Sequence, residues 1–275
     1  MNCLPEGFEN FSVSSGNSRW SGVLRSGKLP FSSPADHIVE ICRKLQNGQA
    51  DKILKTGSKI VAARVDGCFV KMYKLPGFSA QLRRRFRTGR AMHCLRIAEA
   101  VEAAGVPTPQ VIAAVQCVTG WHICDFLITD CFREADVTLL YLPKQQDFSW
   151  RCLLDDILPV VAKLHKAGIR HGDLNLRNIY CSGKVNDNGR ITEVDRETIG
   201  VIDLDGAEYS NAPLLTSVRE EELARLYSGF CKGGRMESCF DTVGVLVDHY
   251  ETLSAVKCRK EKIFRQAAYL LNRKR

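Results

Sequence analysis

The sequence predicts an α+β chain in two lobes: a β-rich N-terminal half with one long helix, then a mainly helical C-terminal half. Three observations carry this. Short apolar runs punctuated by turn residues fill positions 50 to 130, broken by one helical pattern from about Thr88 to Ala104. "SWRCLLDDILPVVAKLHKAG" repeats its apolar residues with a helical period. From about Val218 onward the pattern is again helical. The expected boundaries are an extension over 1–48, an N-lobe over 49–130 and a C-lobe over 131–275. At 275 residues the chain is long enough to bury a substantial core.

Taken in order, residues 11 to 33 are rich in Ser and Gly and read as a loose extension, with one short strand near Trp20 to Leu24. "SPADHIVEICRKLQNG" starts a helix: Ser33 can cap it, Pro34 fits the first turn, and Asp36 favours the positive end. Gly48 stops it. "DKILKTG", "KIVAARV" and "CFVKMYK" read as strands, with Asp66-Gly67 as the hairpin turn between the last two. The long helix ends at Gly105 and Pro107, and "QVIAAVQCV" and "WHICDFLITD" are further strands. In the second half, Leu153, Ile157, Val160, Val161 and Leu164 share one helical face, Pro159 can kink that helix, and Gly168 ends it. A loop, a strand "NIYCSG", a turn "NDNG", a strand "RITEV" and the run "GVIDLD" follow.

The formal net charge of +8 points to anionic partners. Nucleic acid is not among the expected ones: aromatics total 8%, none are interleaved for stacking, and no zinc or RNA-binding signature occurs. The twelve cysteines form no C-x-x-C pair, and Cys117, Cys124 and Cys131 recur at a spacing unlike a zinc site, so reduced thiols are expected. No window reaches the length of a spanning helix. The first residues lack the basic start and apolar core of a secretory signal, which makes a cytoplasmic location the expectation.

The chemistry lies in "RHGDLNLRNIY" and "VIDLDGAEY". Turn chemistry alone accounts for many His-, Asp- and Asn-rich loops. Here, however, an apolar run carrying Asp203 follows 30 residues after Asp173, with strand, turn and strand between. A hairpin brings its two ends together, so Asp173, Asn178 and Asp203 can face one site. Oxygen ligands without cysteine suit Mg²⁺. A magnesium ion beside a separate carboxylate is what phosphoryl transfer requires. An upstream strand lysine completes the order of a protein-kinase-like site. "CFVKMYK" supplies Lys71, with Lys74, beside the turn "LPG", as its rival.

"VKMYK", "GVPTP", "DFLITD", "LHKAGIRHGDLNLRNIY" and "VIDLDGA", in this order over roughly residues 50 to 230, resemble the bacterial lipopolysaccharide kinase family, kinases of inner-core heptose or Kdo. The resemblance implies a bilobal protein-kinase-like fold with ATP and Mg²⁺ between the lobes. It implies an ATP-dependent sugar kinase whose acceptor is a hydroxyl of a lipopolysaccharide core sugar. Carried over, Lys71 holds the α- and β-phosphates, Asp173 is the catalytic carboxylate, and Asn178 and Asp203 hold the metal. His171 braces the loop. The segment Thr129 to Cys131, including Asp130, lies at the adenine hinge.

Three departures from the pattern stand out. The phosphate loop has only Gly57. The helix acid that pairs with the strand lysine is Glu99 or Glu102, both near the C-terminal end of the long helix. Asp205 precedes Gly206 and either contacts metal or acceptor or caps the next segment. A same-fold kinase of a small metabolite or protein side chain, and a catalytically silent scaffold, are the alternative readings. The basic run "RRRFR" at 83–87 is either a solvated face or a contact with anionic glycolipid or the inner-membrane surface. The C-terminal "KCRKEKIFRQAAYLLNRKR" is either an interfacial helix or a terminal helix packed on the core.

Overall fold

A computed structural model of the chain describes residues 4, 6–27, 33–75, 77–84, 88–131, 136–142, 149–185 and 191–273. The chain divides into two units, Met1–Glu99 with Pro109–Cys131, and Ala100–Thr108 with Phe132–Arg275.

The first unit is built on a seven-stranded antiparallel sheet. Its elements are β1 (Phe8–Ser15), β2 (Ser18–Arg25), α1 (Pro34–Gln46), β3 (Lys52–Thr56), β4 (Ile60–Val65), β5 (Cys68–Lys74), α2 (Phe78–Arg84), α3 (Arg90–Ala103), β6 (Val111–Thr119) and β7 (His122–Asp130). The strand order is β1-β2-β6-β7-β5-β4-β3. The Ser- and Gly-rich stretch expected as a loose extension with one short strand instead forms a full hairpin, Phe8 pairing with Arg25 and Ser15 with Ser18. Gly16, at φ 57°, and Asn17 make its turn, a Gly-Asn hairpin signal that the serine content hides.

Helix α1 covers one face of this sheet. Ile38, Val39, Ile41, Cys42 and Leu45 recur at helical spacing and are buried against Trp20, Val61, Ala63, Val70, Met72, Val115 and Phe126. Each such side chain contributes about 1.5–3 kcal/mol on leaving water. Ser33 bonds the Asp36 carboxylate rather than a backbone N–H of the first turn. The Asp66-Gly67 turn has both residues at positive φ, 49° and 77°, the backbone a two-residue hairpin requires, and Asp66 accepts from Lys44 of α1 at 2.8 Å. At the sheet edge β3 is exposed along its whole length, Ile53 and Leu54 included.

The second unit holds β8 (Asp136–Thr138), α4 (Trp150–Lys166), β9 (Ile169–Arg170), β10 (Ile179–Val185), β11 (Ile191–Val201), β12 (Glu208–Tyr209), α5 (Thr216–Lys232), α6 (Phe240–Ser254) and α7 (Lys260–Asn272). Strands β8, β10 and β11 form one small sheet and β9 pairs with β12. The expected turn "NDNG" lies outside the described residues. The expected strand "RITEV" and the start of the run "GVIDLD" belong to one strand, β11, which continues from Ile191 to Val201. Helix α4 continues through Pro159 and buries Leu153, Leu154, Ile157, Leu158, Val161 and Leu164.

Helix α4 is tied to α5 and α6 by buried polar groups. Arg219 donates to the Tyr250 hydroxyl at 3.1 Å, and that hydroxyl lies 2.8 Å from His165 Nδ1. Burial, then the Arg219 charge, push His165 down to about 3, so its imidazole is neutral and shares one hydrogen bond with the tyrosine hydroxyl. The last helix is clamped as well. Glu220 on α5, fully buried, accepts from Arg259 Nε and Nη2 at 2.9 Å each, and Lys262 Nζ lies 2.8 Å away. Ile263 and Ala267 bury the inner side of α7, which makes it a packed terminal helix with Tyr269 exposed. Among the described residues no helix is long and apolar enough to cross a membrane.

The hydrogen bonds from Arg259, with help from Lys262, hold Glu220 at about 2, against an ordinary 4.5. A carboxylate depressed on folding stabilises above its unfolded value and loses that contribution as pH falls toward the folded one. Thermal melts of Glu220→Gln and the parent should therefore differ most above about pH 5 and converge toward pH ~2.

Candidate active site

Two chain segments of the second unit are stitched to each other. Ile179 pairs with Val201, Ile202 N–H donates to Asn178 C=O at 2.9 Å, and His171 Nε2 lies 3.0 Å from Ile202 C=O. The Asp173 N–H reaches His171 Nδ1 at 3.4 Å, so Nδ1 is the acceptor and Nε2–H the donor to Ile202. His171 is buried and braces the loop. Gly172 completes the contact. Its φ is +82°, and a Cβ there would lie 2.3 Å from Gly206 C=O, so only glycine lets the loops approach this closely.

Asp173, Asn178, Asp203 and Asp205, all singled out from the sequence, lie on these two segments. Asp173 is exposed, and its carboxylate accepts from Asn178 Nδ2 at 3.0 Å. The same amide nitrogen donates to Asp173 C=O at 2.8 Å, and Asn175 Nδ2 donates there at 2.9 Å. Asn178 is buried. Its amide nitrogen is committed to Asp173, which turns Oδ1 the other way. Asp203 is exposed and left-handed at φ 62°, ψ 55°, a conformation that is uncommon for a non-glycine residue and recurs at functional sites. Asp205 is half-buried in a 3-10 turn, Leu204–Gly206.

Of the remaining predicted residues, Gly57, Lys71, Glu99, Asp130 and Cys131 lie in the first unit and Glu102 in the second. Lys71 is half-buried on β5, opposite Ala62 of β4 and Leu127 of β7. Strand alternation puts Val70 and Met72 on the α1 face and Lys71 with Tyr73 on the other, where the Tyr73 hydroxyl meets Cys94 of α3 at 3.6 Å. Glu99 is half-buried on α3, one turn beyond the fully buried Leu95; Glu102 is half-buried three residues further on. The Gly57 N–H closes a turn onto Ile60 C=O at 2.9 Å. The Asp130 N–H donates to Gln110 C=O at 3.0 Å and its C=O accepts from the Thr129 hydroxyl at 3.2 Å; Cys131 follows, half-buried.

Sequence reasoning missed two residues that position these groups. Glu222 on α5 is fully buried and accepts from His171 N–H at 2.8 Å and Gly172 N–H at 3.1 Å. Burial pushes its carboxyl above the ordinary range, against the pull of His171 and the two N–H groups. The signal was present: Glu222 is next to Leu223 on the stripe continued by Leu226, Tyr227 and Phe230, a charge on a core-facing side. Asp125 on β7 is buried and takes both Nε and Nη2 of Arg84, at 3.0 and 2.7 Å, plus the first N–H of α3, from Arg90, at 3.0 Å. A carboxylate at that helix start also favours the macrodipole.

The chain is similar to solved structures of protein-kinase-like phosphotransferases. One is titled "WaaP in complex with acyl carrier protein": 19% identity, covering 80% of this chain and 84% of that one, TM-score 0.50. Another is aminoglycoside-3'-phosphotransferase of type VIII: 15% identity, covering 84% of this chain and 98% of that one, TM-score 0.47. Comparison with curated proteins finds no match. The fold is thus of the protein-kinase-like class. Residues 57–240 match the sequence profile of the lipopolysaccharide kinase (Kdo/WaaP) family, and the chain belongs to that family. It is a kinase by family, and ATP and magnesium use is typical of that family.

Two substitutions test the stitching. Glu222→Ala leaves two buried N–H groups without their acceptor, at about 1–3 kcal/mol each, and should lower the denaturant midpoint while slowing turnover. Gly172→Ala meets both the Gly206 carbonyl and a positive φ. Turnover should fall more than about tenfold, a loss equivalent to about 1.4 kcal/mol or more in the barrier.

Proposed function

We propose that the chain transfers the γ-phosphoryl group of ATP to a hydroxyl of a lipopolysaccharide inner-core sugar, heptose or Kdo. Family membership supports the class of acceptor. The observation that carries the chemistry is the Asn178 amide held across both the carbonyl and the carboxylate of Asp173. That contact fixes an exposed carboxylate in one orientation, as a group that receives an acceptor proton must be. In this reading residues 49–130 and 131–275 serve as the two lobes.

The donor set fits magnesium. Asn178 Oδ1 and the Asp203 carboxylate are hard oxygen ligands, and Mg²⁺ takes one or two carboxylates plus water and substrate phosphates. Among the described residues no three or more His, Cys, Asp or Glu side chains cluster into a metal cage. When bound, the ion would neutralise polyphosphate charge. The chain's own groups do the rest. Lys71 draws the α- and β-phosphates, held in place by Glu99. The Gly57 turn covers them. Asp130 and Cys131 meet the adenine through their backbone. Asp173 orients the sugar hydroxyl and takes its proton as the oxygen attacks the γ-phosphorus and the bond from that phosphorus to the ADP oxygen breaks.

The test is ATP turnover with Mg²⁺, with and without deacylated inner-core oligosaccharide from a kinase-deficient strain. Turnover should require the oligosaccharide and fall about a hundredfold or more in Asp173→Asn. Turnover indifferent to the oligosaccharide overturns the acceptor assignment, and an unimpaired variant overturns the role of Asp173.

A further inference from the structure

One end of the seven-stranded sheet gathers three turns and one short helix. The β1–β2 turn adjoins the β6–β7 turn, since Ser18 pairs with Thr119 and Thr119 with His122. The β3–β4 turn adjoins the end of β5, where Lys74 N–H donates to Lys59 C=O at 2.8 Å. Helix α2 leaves from that same end. Three large apolar side chains stand out there: Phe78 is 69% exposed, Trp121 65% and Leu82 44%. Phe78 and Trp121 are packed together, ring centroids 6.4 Å apart, and Leu82 follows Phe78 by one helical turn.

This exposure is built rather than incidental. Gln81 accepts from Ile123 N–H at 2.7 Å and donates to Leu75 C=O at 2.8 Å, and Arg84 is locked onto Asp125. These bonds bind one side of α2 to the hairpin and turn Phe78 and Leu82 outward. At the same sheet end lie Arg19, Lys59 and His122, all exposed, and Lys74, half-buried; the carboxylate of Asp125 is buried and already paired. Exposed aromatics ringed by basic groups match the layers of an anionic bilayer: apolar and indole groups enter the headgroup boundary, and cations meet the lipid phosphates.

We infer that this end of the sheet, led by Phe78, Leu82 and Trp121, docks on the surface of an anionic phospholipid membrane. The inference rests on the lipid-anchored acceptor proposed above, and it gives that reading a geometry. The Gly57 turn belongs to the same sheet end, so docking here holds the phosphate-covering turn close to the lipid. The bilayer is preferred over an acidic protein because the exposed side chains are large, aromatic and aliphatic, and stand at one sheet end with basic groups.

The experiment is sedimentation of the full chain with vesicles of phosphatidylcholine alone, or with about a third phosphatidylglycerol, without nucleotide or acceptor. The protein should pellet with the anionic vesicles and be released by salt. Phe78→Ser with Trp121→Ser should weaken binding at least about tenfold, and Arg19→Gln about fivefold. Both variants should keep the parent's melting temperature and its turnover on deacylated oligosaccharide. Parent protein that stays in the supernatant, a double variant that pellets equally, or binding indifferent to phosphatidylglycerol each overturns the proposal. A parent dimer that the double variant converts to monomer, without vesicle binding, assigns the surface to a second copy. Vesicle binding does not depend on turnover, so failure of the kinase reading and failure of this one are separately visible.

Discussion

Glu222 has no exposed surface, and its carboxylate meets the main chain of His171 and Gly172. The rest of the candidate site follows from that contact. With those two N–H groups fixed, the His171 ring reaches Ile202, Gly172 lies against Gly206, and the two segments carrying Asp173, Asn178 and Asp203 are joined. A buried carboxylate is costly to desolvate, and the upward push on its proton affinity expresses that cost. Main-chain N–H groups offset part of it while losing their own freedom, so a loop rich in turn formers is held in one conformation.

The sheet unit reaches a comparable end by another route. Asp125 also places a buried carboxylate on a main-chain N–H, at the start of α3, but it adds the bidentate guanidinium of Arg84. That pair compensates the charge outright, and a fork of two parallel bonds fixes direction as well as distance. Helix α3, which carries Glu99, is thereby set in register with β7, the strand that runs beside Lys71 on β5.

Much of this was legible in the residues. Short apolar runs and the Asp66-Gly67 turn marked β4 and β5, and the helical stripe marked α4 through its proline. "HGDLNLRN" and the later aspartates marked the site segments, because few other chemistries use that order of polar groups. What escaped notice did so for physical reasons. Most residues of β1 are exposed or half-exposed, so no alternation rises above its serines. Helix α2 spans seven residues, too few for a period to show. Glu222 ends the acidic triplet Glu220–Glu221–Glu222 and reads as a solvated face, although Glu220 and Glu222 are both buried. The left-handed backbone of Asp203 is set by the contacts around it, and no local propensity announces it.

Strand β3 closes one side of the seven-stranded sheet with its outer hydrogen-bonding groups facing no neighbouring strand of that sheet. Ile53 and Leu54 stand exposed in the middle of it. Such a border invites strand addition from another molecule and so governs how concentrated the protein can become before it self-associates. Lysines at 52 and 55 flank the apolar pair, and the register slips between Ile53 and Lys55, so an incoming strand would meet two ammonium groups and an irregular ladder. Colloidal behaviour is therefore written into five residues, the last of them next to Gly57. Neutralising those lysines would open the border to strand addition.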